Sequence, residues 1–129
     1  MLVDNSGSVL ESFKWILKGE PYYLFAFDNP FDAMDVLDKI KFAVVVAEQS
    51  LPEMDGLEFL KRVKAISPET AGIIMTAYLE SAMAINAIRQ GFVLFFLKKP
   101  WEAGKVIQAI ELAAAHYDIN AASRRLRPS

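Results

Sequence analysis

Cysteine is absent from this chain of 129 residues, which excludes disulfides, thiolate metal sites and a cysteine nucleophile. No apolar run reaches the ~18 residues that a membrane-spanning helix needs. A strong charge of one sign is also lacking, because the net charge of −2 offers no broad attraction to nucleic acid or to an anionic membrane. We therefore expect a soluble, cytoplasmic domain that contacts neither nucleic acid nor membrane.

The composition is that of a globular protein, with 53% hydrophobic and 23% charged residues. The length suits one compact domain and is too short for two. We predict a single domain over residues 1–121. Residues 122–129 form a basic tail, which we interpret as a frayed helix end or the start of a linker to another domain.

Strand-like and helix-like segments alternate along the chain. We predict strands at residues 2–3, 22–27, 42–47, 73–75 and 93–97. We predict that helices begin near Val9, Pro30, Leu57, Ser81 and Trp101, and that the last helix ends near Asn120. Ala84, Ile85 and Ile88 are predicted to face the core, and Gly91 to end the fourth helix. Five such βα units predict an α/β fold, a parallel doubly wound sheet with helices on both faces.

Polar side chains follow four of the predicted strands. Asp4 and Asn5 come after the first strand, Glu48 after the third, Thr76 after the fourth and Lys99 after the fifth. Because the carboxyl ends of parallel strands meet at one edge of the sheet, we expect these side chains to lie together.

The order and spacing of these residues identify a resemblance. Glu48 ends an apolar run and is followed by Pro-Glu-Met-Asp-Gly at residues 52–56, and Lys99-Pro100-Trp101 follows the fifth strand. Over nearly its whole length the chain resembles bacterial response-regulator receiver domains of two-component signalling. The resemblance implies a (βα)5, flavodoxin-like fold similar to that of chemotaxis regulators, and a signalling module instead of an enzyme.

The resemblance also implies a metal and phosphate-accepting site. Asp4 and Asn5 match the acidic pair that holds Mg²⁺ in the family, and Glu48 matches the phospho-accepting aspartate. Ser50 matches the residue whose backbone carbonyl completes the magnesium site.

Three further positions match the machinery that responds to phosphorylation. Thr76 corresponds to the switch hydroxyl that contacts the phosphoryl group, and Phe96 to the aromatic switch residue. Lys99 corresponds to the lysine that neutralises phosphoryl charge, and its bond to Pro100 is usually cis in this family.

Two positions depart from the family pattern, and both weaken the same chemistry. Asn5 replaces an acidic metal ligand, and Glu48 carries its carboxylate about 1.5 Å farther out than aspartate would. Phosphoryl transfer tolerates about 1 Å of misplacement poorly. We therefore expect weak or absent Mg²⁺ binding at Asp4, Glu48 and Ser50, no other cofactor, and impaired or absent phosphorylation.

Three hypotheses follow. The first is a phosphorylation-deficient receiver that binds a sensor kinase or its own output domain, with a homodimer through the fourth helix, fifth strand and fifth helix. In this form Glu48 either disables the site or partly imitates the phosphorylated state. The second is a working receiver that accepts phosphate on Glu48 or a neighbouring carboxylate. The third is a small flavodoxin-like ligand-binding domain, which the missing glycine-rich phosphate loop disfavours.

Overall fold

The computed structural model describes residues 1–78 and 80–126 of the chain. Strands and helices alternate throughout these residues. The strands are β1 (Leu2–Val3), β2 (Ala26–Phe27), β3 (Val44–Glu48), β4 (Ala71–Thr76) and β5 (Phe95–Lys98). The helices are α1 (Gly7–Ile16), α2 (Pro30–Leu37), α3 (Gly56–Ile66), α4 (Ser81–Gln90) and α5 (Ala103–Leu126).

The strands form one parallel sheet in the order β2-β1-β3-β4-β5. The chain runs outward from β1 to β2 on one side and through β3, β4 and β5 on the other. The order therefore reverses between β1 and β3, and a cleft opens at such a switch point beyond the carboxyl ends of the strands. The predicted α/β fold, a five-stranded doubly wound (βα)5 sheet in a single domain, is confirmed.

Successive side chains of the central strands enter two separate cores. Val45, Ala47 and Ile74 pack beneath α2, α3 and α4. Val46 and Ile73 pack on the opposite face, beneath α1 and α5. Because helices cover both faces, the central strands are apolar on both sides, which explains the unbroken apolar run before Glu48.

Side-chain and glycine caps set several helix ends. Asn29 Oδ1 accepts a hydrogen bond from the Asp32 backbone N–H at 2.9 Å, so α2 begins at Pro30 as predicted. Gly91 ends α4 with a φ of 83°, a left-handed conformation that side chains disfavour. The predicted end of α4 is therefore confirmed.

The predicted inner face of α4 is partly wrong. Ala84 is buried as expected, but Ile85 and Ile88 are 51% and 49% exposed. Ala87 is buried in their place. All the residues from 84 to 88 except Asn86 are apolar, so periodicity alone did not select the inward side, and the small alanines allow the helix to approach the sheet closely.

Most predicted boundaries differ from the structure by about two residues, and the differences are larger at the second strand and at the end of the last helix. The second strand is confined to Ala26–Phe27 because its partner β1 is equally short. The last helix does not end near Asn120 but continues to Leu126, so the predicted boundary between residues 121 and 122 falls inside α5. Residues 127–129 of the predicted tail lie outside the described residues, and a linker role for the tail stays a prediction.

Candidate functional site

The carboxyl edge of the sheet carries most of the residues predicted from the sequence. Asp4 follows β1, Glu48 ends β3, Thr76 ends β4 and Lys99 follows β5. A backbone hydrogen bond of 2.8 Å from Lys99 N–H to the Thr76 carbonyl joins the last two strand ends. The sheet thereby brings Asp4, Glu48 and Lys99 into direct contact.

Lys99 bridges the two carboxylates. Its Nζ lies 3.1 Å from Asp4 Oδ2 and 3.1 Å from Glu48 Oε1. The side chains of Asp4, Glu48 and Lys99 are only 1%, 12% and 21% exposed, so water screens this contact weakly. One ammonium thus neutralises half of the charge on two buried carboxylates, and the cluster keeps one net negative charge.

Backbone donors occupy the remaining carboxylate oxygens. Asp4 Oδ1 accepts a hydrogen bond from Ser6 N–H at 2.8 Å, and Glu48 Oε2 accepts one from Gln49 N–H at 3.0 Å. Each of the four carboxylate oxygens therefore faces a donor. These donors stabilise the charged form of the two carboxylates, because burying a carboxylate without a partner costs several kcal/mol.

Thr76 lies at the same edge, but its hydroxyl is engaged with the following turn. Thr76 Oγ1 donates to the Tyr78 carbonyl at 2.9 Å and accepts from the Tyr78 N–H at 3.1 Å. A hydroxyl has a single proton to donate. Thr76 therefore has no donor left for the Glu48 carboxylate.

The residues around Lys99 hold its position in the cleft. The Lys99–Pro100 peptide bond is cis, as the sequence resemblance predicts. Lys99 Nζ lies 5.7 Å from the centroid of the Trp101 ring, and that ring packs edge-on against Phe13 at 5.5 Å. Phe96 is partly buried against the core beneath α2, α3 and α4.

Asn5 and Ser50 do not join the charged cluster through their side chains. Both residues are exposed at the rim of the cleft. A role for Asn5, or for the Ser50 carbonyl, in metal binding stays a prediction.

One position that supports the site, Gln49, was not assigned a role from the sequence. Gln49 Oε1 accepts a hydrogen bond from Leu57 N–H at 3.0 Å, and the Gln49 carbonyl accepts from Gly56 N–H at 3.0 Å. Gln49 thereby fastens the loop after β3 to the first turn of α3. The only sequence signal was its place beside Glu48, since a glutamine side chain has many possible partners.

The donor set offers little to a magnesium ion. Mg²⁺ requires near-octahedral oxygen ligands. Across residues 1–78 and 80–126, no group of three or more His, Cys, Asp or Glu side chains could hold a metal ion. The Lys99 ammonium already lies against both carboxylates, so a second cation would have to compete with it. The residues present therefore fit Mg²⁺ poorly.

No helix in the described part of the chain is both long enough and apolar enough to cross a membrane.

Comparisons with known proteins agree with the observed fold, and the matched part of the chain includes the residues of the site. A family model described as the response regulator receiver domain matches residues 1–111. The chemotaxis protein CheY of Listeria monocytogenes is 31% identical over 115 residues, which cover 88% of this chain and 96% of that protein.

A longer relative and a solved structure match to a similar degree. The transcriptional regulatory protein FixJ of Bradyrhizobium diazoefficiens is 30% identical over 112 residues, which cover 87% of this chain and 54% of FixJ. The chain therefore spans about half the length of that regulator. A crystal structure named as an adenylate cyclase from Rhodopirellula baltica matches with a TM-score of 0.90 and 25% identity, covering 97% of this chain and 93% of that one.

Proposed function

The chain belongs to the response regulator receiver domain family, and from that premise we propose that it is an atypical receiver whose phosphorylation is impaired or absent. It acts as a signalling module that binds other proteins and has no enzymatic activity of its own. The observation that carries the proposal is the Glu48 carboxylate, which stands where the family has its phospho-accepting aspartate and is already paired with Lys99.

Glu48 is poorly placed to attack a phosphoryl group. Its extra methylene projects the carboxylate about 1.5 Å beyond an aspartate. Glu48 Oε1 lies 3.1 Å from Lys99 Nζ, the cation that would otherwise neutralise the incoming phosphoryl charge. Phosphoryl transfer to Glu48 would therefore require its carboxylate to move back toward β3 and to separate from Lys99. Phosphoryl transfer depends almost entirely on such positioning.

Metal binding is weakened by the same cluster. Asn5 is neutral where the family places an acid, and Asp4 is held by Lys99 and by Ser6 N–H. A site without Mg²⁺ loses the main charge that stabilises phosphoryl transfer. No other cofactor is expected.

We infer that Glu48 disables the site and does not imitate the phosphorylated state. Imitation would require the carboxylate to capture the Thr76 hydroxyl as well as Lys99. The Thr76 proton is instead donated to the Tyr78 carbonyl at 2.9 Å. Glu48 therefore engages the lysine without engaging the switch hydroxyl, and a single carboxylate also offers fewer acceptor oxygens than a phosphoryl group.

The protein partners are a sensor kinase or an output domain that follows in the same polypeptide. Tyr78, Ile85 and Ile88 are 86%, 51% and 49% exposed, and they give the start of α4 and its outer side an apolar contact surface. Exchange of signals through α4, β5 and α5, and a homodimer through those elements, remain predictions. We likewise propose a cytoplasmic location without nucleic-acid contact by this domain.

Repair of the site tests the proposal directly. The wild type, Glu48→Asp and the double variant Asn5→Asp/Glu48→Asp would each be incubated with Mg²⁺ and acetyl phosphate. Intact-mass spectrometry would then report the fraction phosphorylated, and amide NMR would report the shifts around Thr76 and Phe96. We expect no modification of the wild type and measurable phosphorylation of the double variant.

The variant Asn5→Asp/Glu48→Asn is the matched control, because it carries the same repaired metal ligand but no acceptor carboxylate. It should remain unmodified. Base-labile, Mg²⁺-dependent phosphate on Glu48 of the wild type would overturn the proposal and establish a working acceptor.

A further inference from the structure

A groove opens at the amino edge of the sheet, at the end opposite the cluster of Asp4, Glu48 and Lys99. Its volume is about 330 Å³. It lies between residues 22–25, which lead into β2, and residues 42–44, which lead into β3. Because β1 lies between β2 and β3 in the sheet, the groove continues the line of β1 beyond the start of that strand.

Backbone groups on both sides of the groove continue the hydrogen-bond rows that hold β1. Leu2 N–H donates to the Phe25 carbonyl at 2.8 Å on one side, and Val46 N–H donates to the Met1 carbonyl at 2.9 Å on the other. Parallel strands form such bonds at even intervals, so the next donors in the two rows are Phe25 N–H and Val44 N–H. No strand of the described residues lies opposite either donor. The groove therefore offers open ladder positions on both sides.

The lining of the groove is apolar. Phe13 and Ile110 line the side beneath α1 and α5. Phe42, which belongs to the opposite core, lies on the other side, with its ring centroid 5.2 Å from that of Phe25. Of the described residues that line the groove, only Lys41 has a charged side chain, and that side chain is 70% exposed. An occupant of the groove must therefore present apolar side chains.

The residues that lead into β2 have the composition of a strand but no strand beside them. Residues 22–25 are Tyr-Tyr-Leu-Phe, and such aromatic, β-prone residues favour a strand over 22–27. Only Ala26–Phe27 forms one, opposite β1. Phe25 remains 40% exposed. A strand in the groove would extend β2 to its predicted length and cover part of Phe25.

We propose that the groove binds an extended apolar segment of a partner protein, which adds to the sheet as a strand in line with β1. The backbone of the segment would accept hydrogen bonds from Phe25 N–H and Val44 N–H. Its successive side chains would point alternately toward Phe13 and toward Phe42, because neighbouring side chains of a strand lie on opposite faces. In strand addition of this kind, main-chain hydrogen bonds give affinity and pockets for alternate side chains give specificity.

The open backbone rows select a strand over other occupants. A helix pairs its backbone groups internally, so a bound helix would leave Phe25 N–H and Val44 N–H without acceptors. A small apolar molecule would do the same, although buried backbone groups in proteins are nearly always paired. The open place beside residues 22–25 is about 13 Å long at the rise of a strand, which sets a length of about four residues for the bound segment.

The groove is separate from the surfaces already described. Its described lining residues include none of Asp4, Glu48 and Lys99, and none from α4 or β5. Binding there goes beyond the proposed function, because it requires neither phosphate nor the residues around Lys99.

Fluorescence anisotropy with a labelled peptide tests the proposal. The probe is Lys-Lys-Thr-Val-Ile-Val-Leu with both ends blocked, in which the two lysines provide solubility. We expect saturable binding to the full chain, with a Kd on the order of 10–100 µM. The matched control peptide carries proline in place of isoleucine, because proline lacks an N–H and is excluded from central strands. It should bind at least about tenfold more weakly.

A substitution that fills the groove provides the matched protein variants. Ala114 lines the groove from α5, so Ala114→Trp should weaken binding of the peptide at least about tenfold. Ala65→Trp replaces an exposed alanine of α3 outside the groove, and it should bind the peptide as the wild type does. Circular dichroism would show that both variants are folded.

Amide hydrogen exchange locates the peptide on the wild type, and it decides the question even if Ala114→Trp fails to fold. The amides of Phe25 and Val44 should exchange more slowly when the peptide is bound, whereas those of Gln49 and Lys99 should be unaffected. Absence of saturable binding, equal affinity for the proline peptide, unchanged affinity in a folded Ala114→Trp, or protection confined to other amides would each overturn the proposal. Binding that occurs only when the same residues are fused ahead of Met1 would also overturn it, because the groove would then serve a longer β1 and not a partner. None of these outcomes depends on phosphorylation.

Discussion

A β-carbon on Gly56 would lie only 2.5 Å from the carbonyl oxygen of Glu48. Gly56 is the first residue of α3, and its N–H donates to the Gln49 carbonyl at 3.0 Å. The helix therefore begins directly against the backbone that ends β3. The absence of a side chain at Gly56 is what lets the loop after Glu48 close onto α3.

Gly56→Ala should destabilise the domain by about 1–3 kcal/mol, because the added methyl group must push apart α3 and the end of β3. Urea unfolding monitored by circular dichroism would measure the loss. Gly104→Ala is the control, since a β-carbon there meets no heavy atom within 4 Å. It should be neutral or stabilising by up to about 1 kcal/mol. Equal stability of the two variants would contradict the close approach.

Lys99→Met should destabilise the domain by about 2–4 kcal/mol, because it leaves the Asp4 and Glu48 carboxylates buried together without a counter-ion. The figure is below that of a fully buried pair because Lys99 is 21% exposed. Chemical denaturation provides the measurement. Lys98→Met, at the exposed neighbour, should change stability by no more than about 0.5 kcal/mol.

A double variant separates electrostatics from packing. In the Lys99→Met variant, Asp4 and Glu48 are two negative charges that repel each other. Adding Glu48→Gln removes one of them and should recover part of the lost stability. If the double variant is less stable than Lys99→Met, charge repulsion is not the cause of the loss.

The sequence was sufficient to predict where Asp4, Glu48 and Lys99 meet. Asp4 and Glu48 come directly after apolar runs and Lys99 comes two residues after one, and parallel strands bring such positions to one edge of the sheet. The hydrogen bonds of the Thr76 hydroxyl were harder to predict, because its partners are backbone atoms of Tyr78 in a turn whose geometry the sequence does not specify. Its place at the edge was predictable, but the direction of its proton was not.

The buried side of α4 and the end of α5 could not be predicted from the sequence. On α4, apolar residues cover more of the helix than the core can contact, so Ile85 and Ile88 were assigned to the wrong side. On α5, Leu112 and Ile119 are apolar but exposed, and such residues blur the 3.6-residue pattern that marks a helix end. The basic residues after Asn120 suggested a tail, whereas Arg124 pairs with Glu69 across the surface.

Glu48→Gln distinguishes a disabled site from an imitation of the phosphorylated state. Because Glu48 contacts Lys99 and Gln49 but not the Thr76 hydroxyl proton, amide NMR shifts should be confined to residues near Lys99 and Gln49. Tyr78 and α4 should be unaffected. Shifts that spread through Tyr78 and α4 would show that the Glu48 charge holds the switch and would contradict a disabled site.

Arg124→Gln should loosen the end of α5 and cost about 1–2 kcal/mol, because it deprives the buried Glu69 carboxylate of its nearest cation. The effect is limited because Arg124 is 50% exposed and because Lys41 Nζ, 3.9 Å from Glu69, supplies partial compensation. Urea unfolding would give the stability, and hydrogen exchange of the amides from 118 to 126 would locate the change. Arg125→Gln, at the exposed neighbouring position, should leave both measurements unaltered. Identical behaviour of the two arginine variants would show that the ion pair to Glu69 does not hold the helix end.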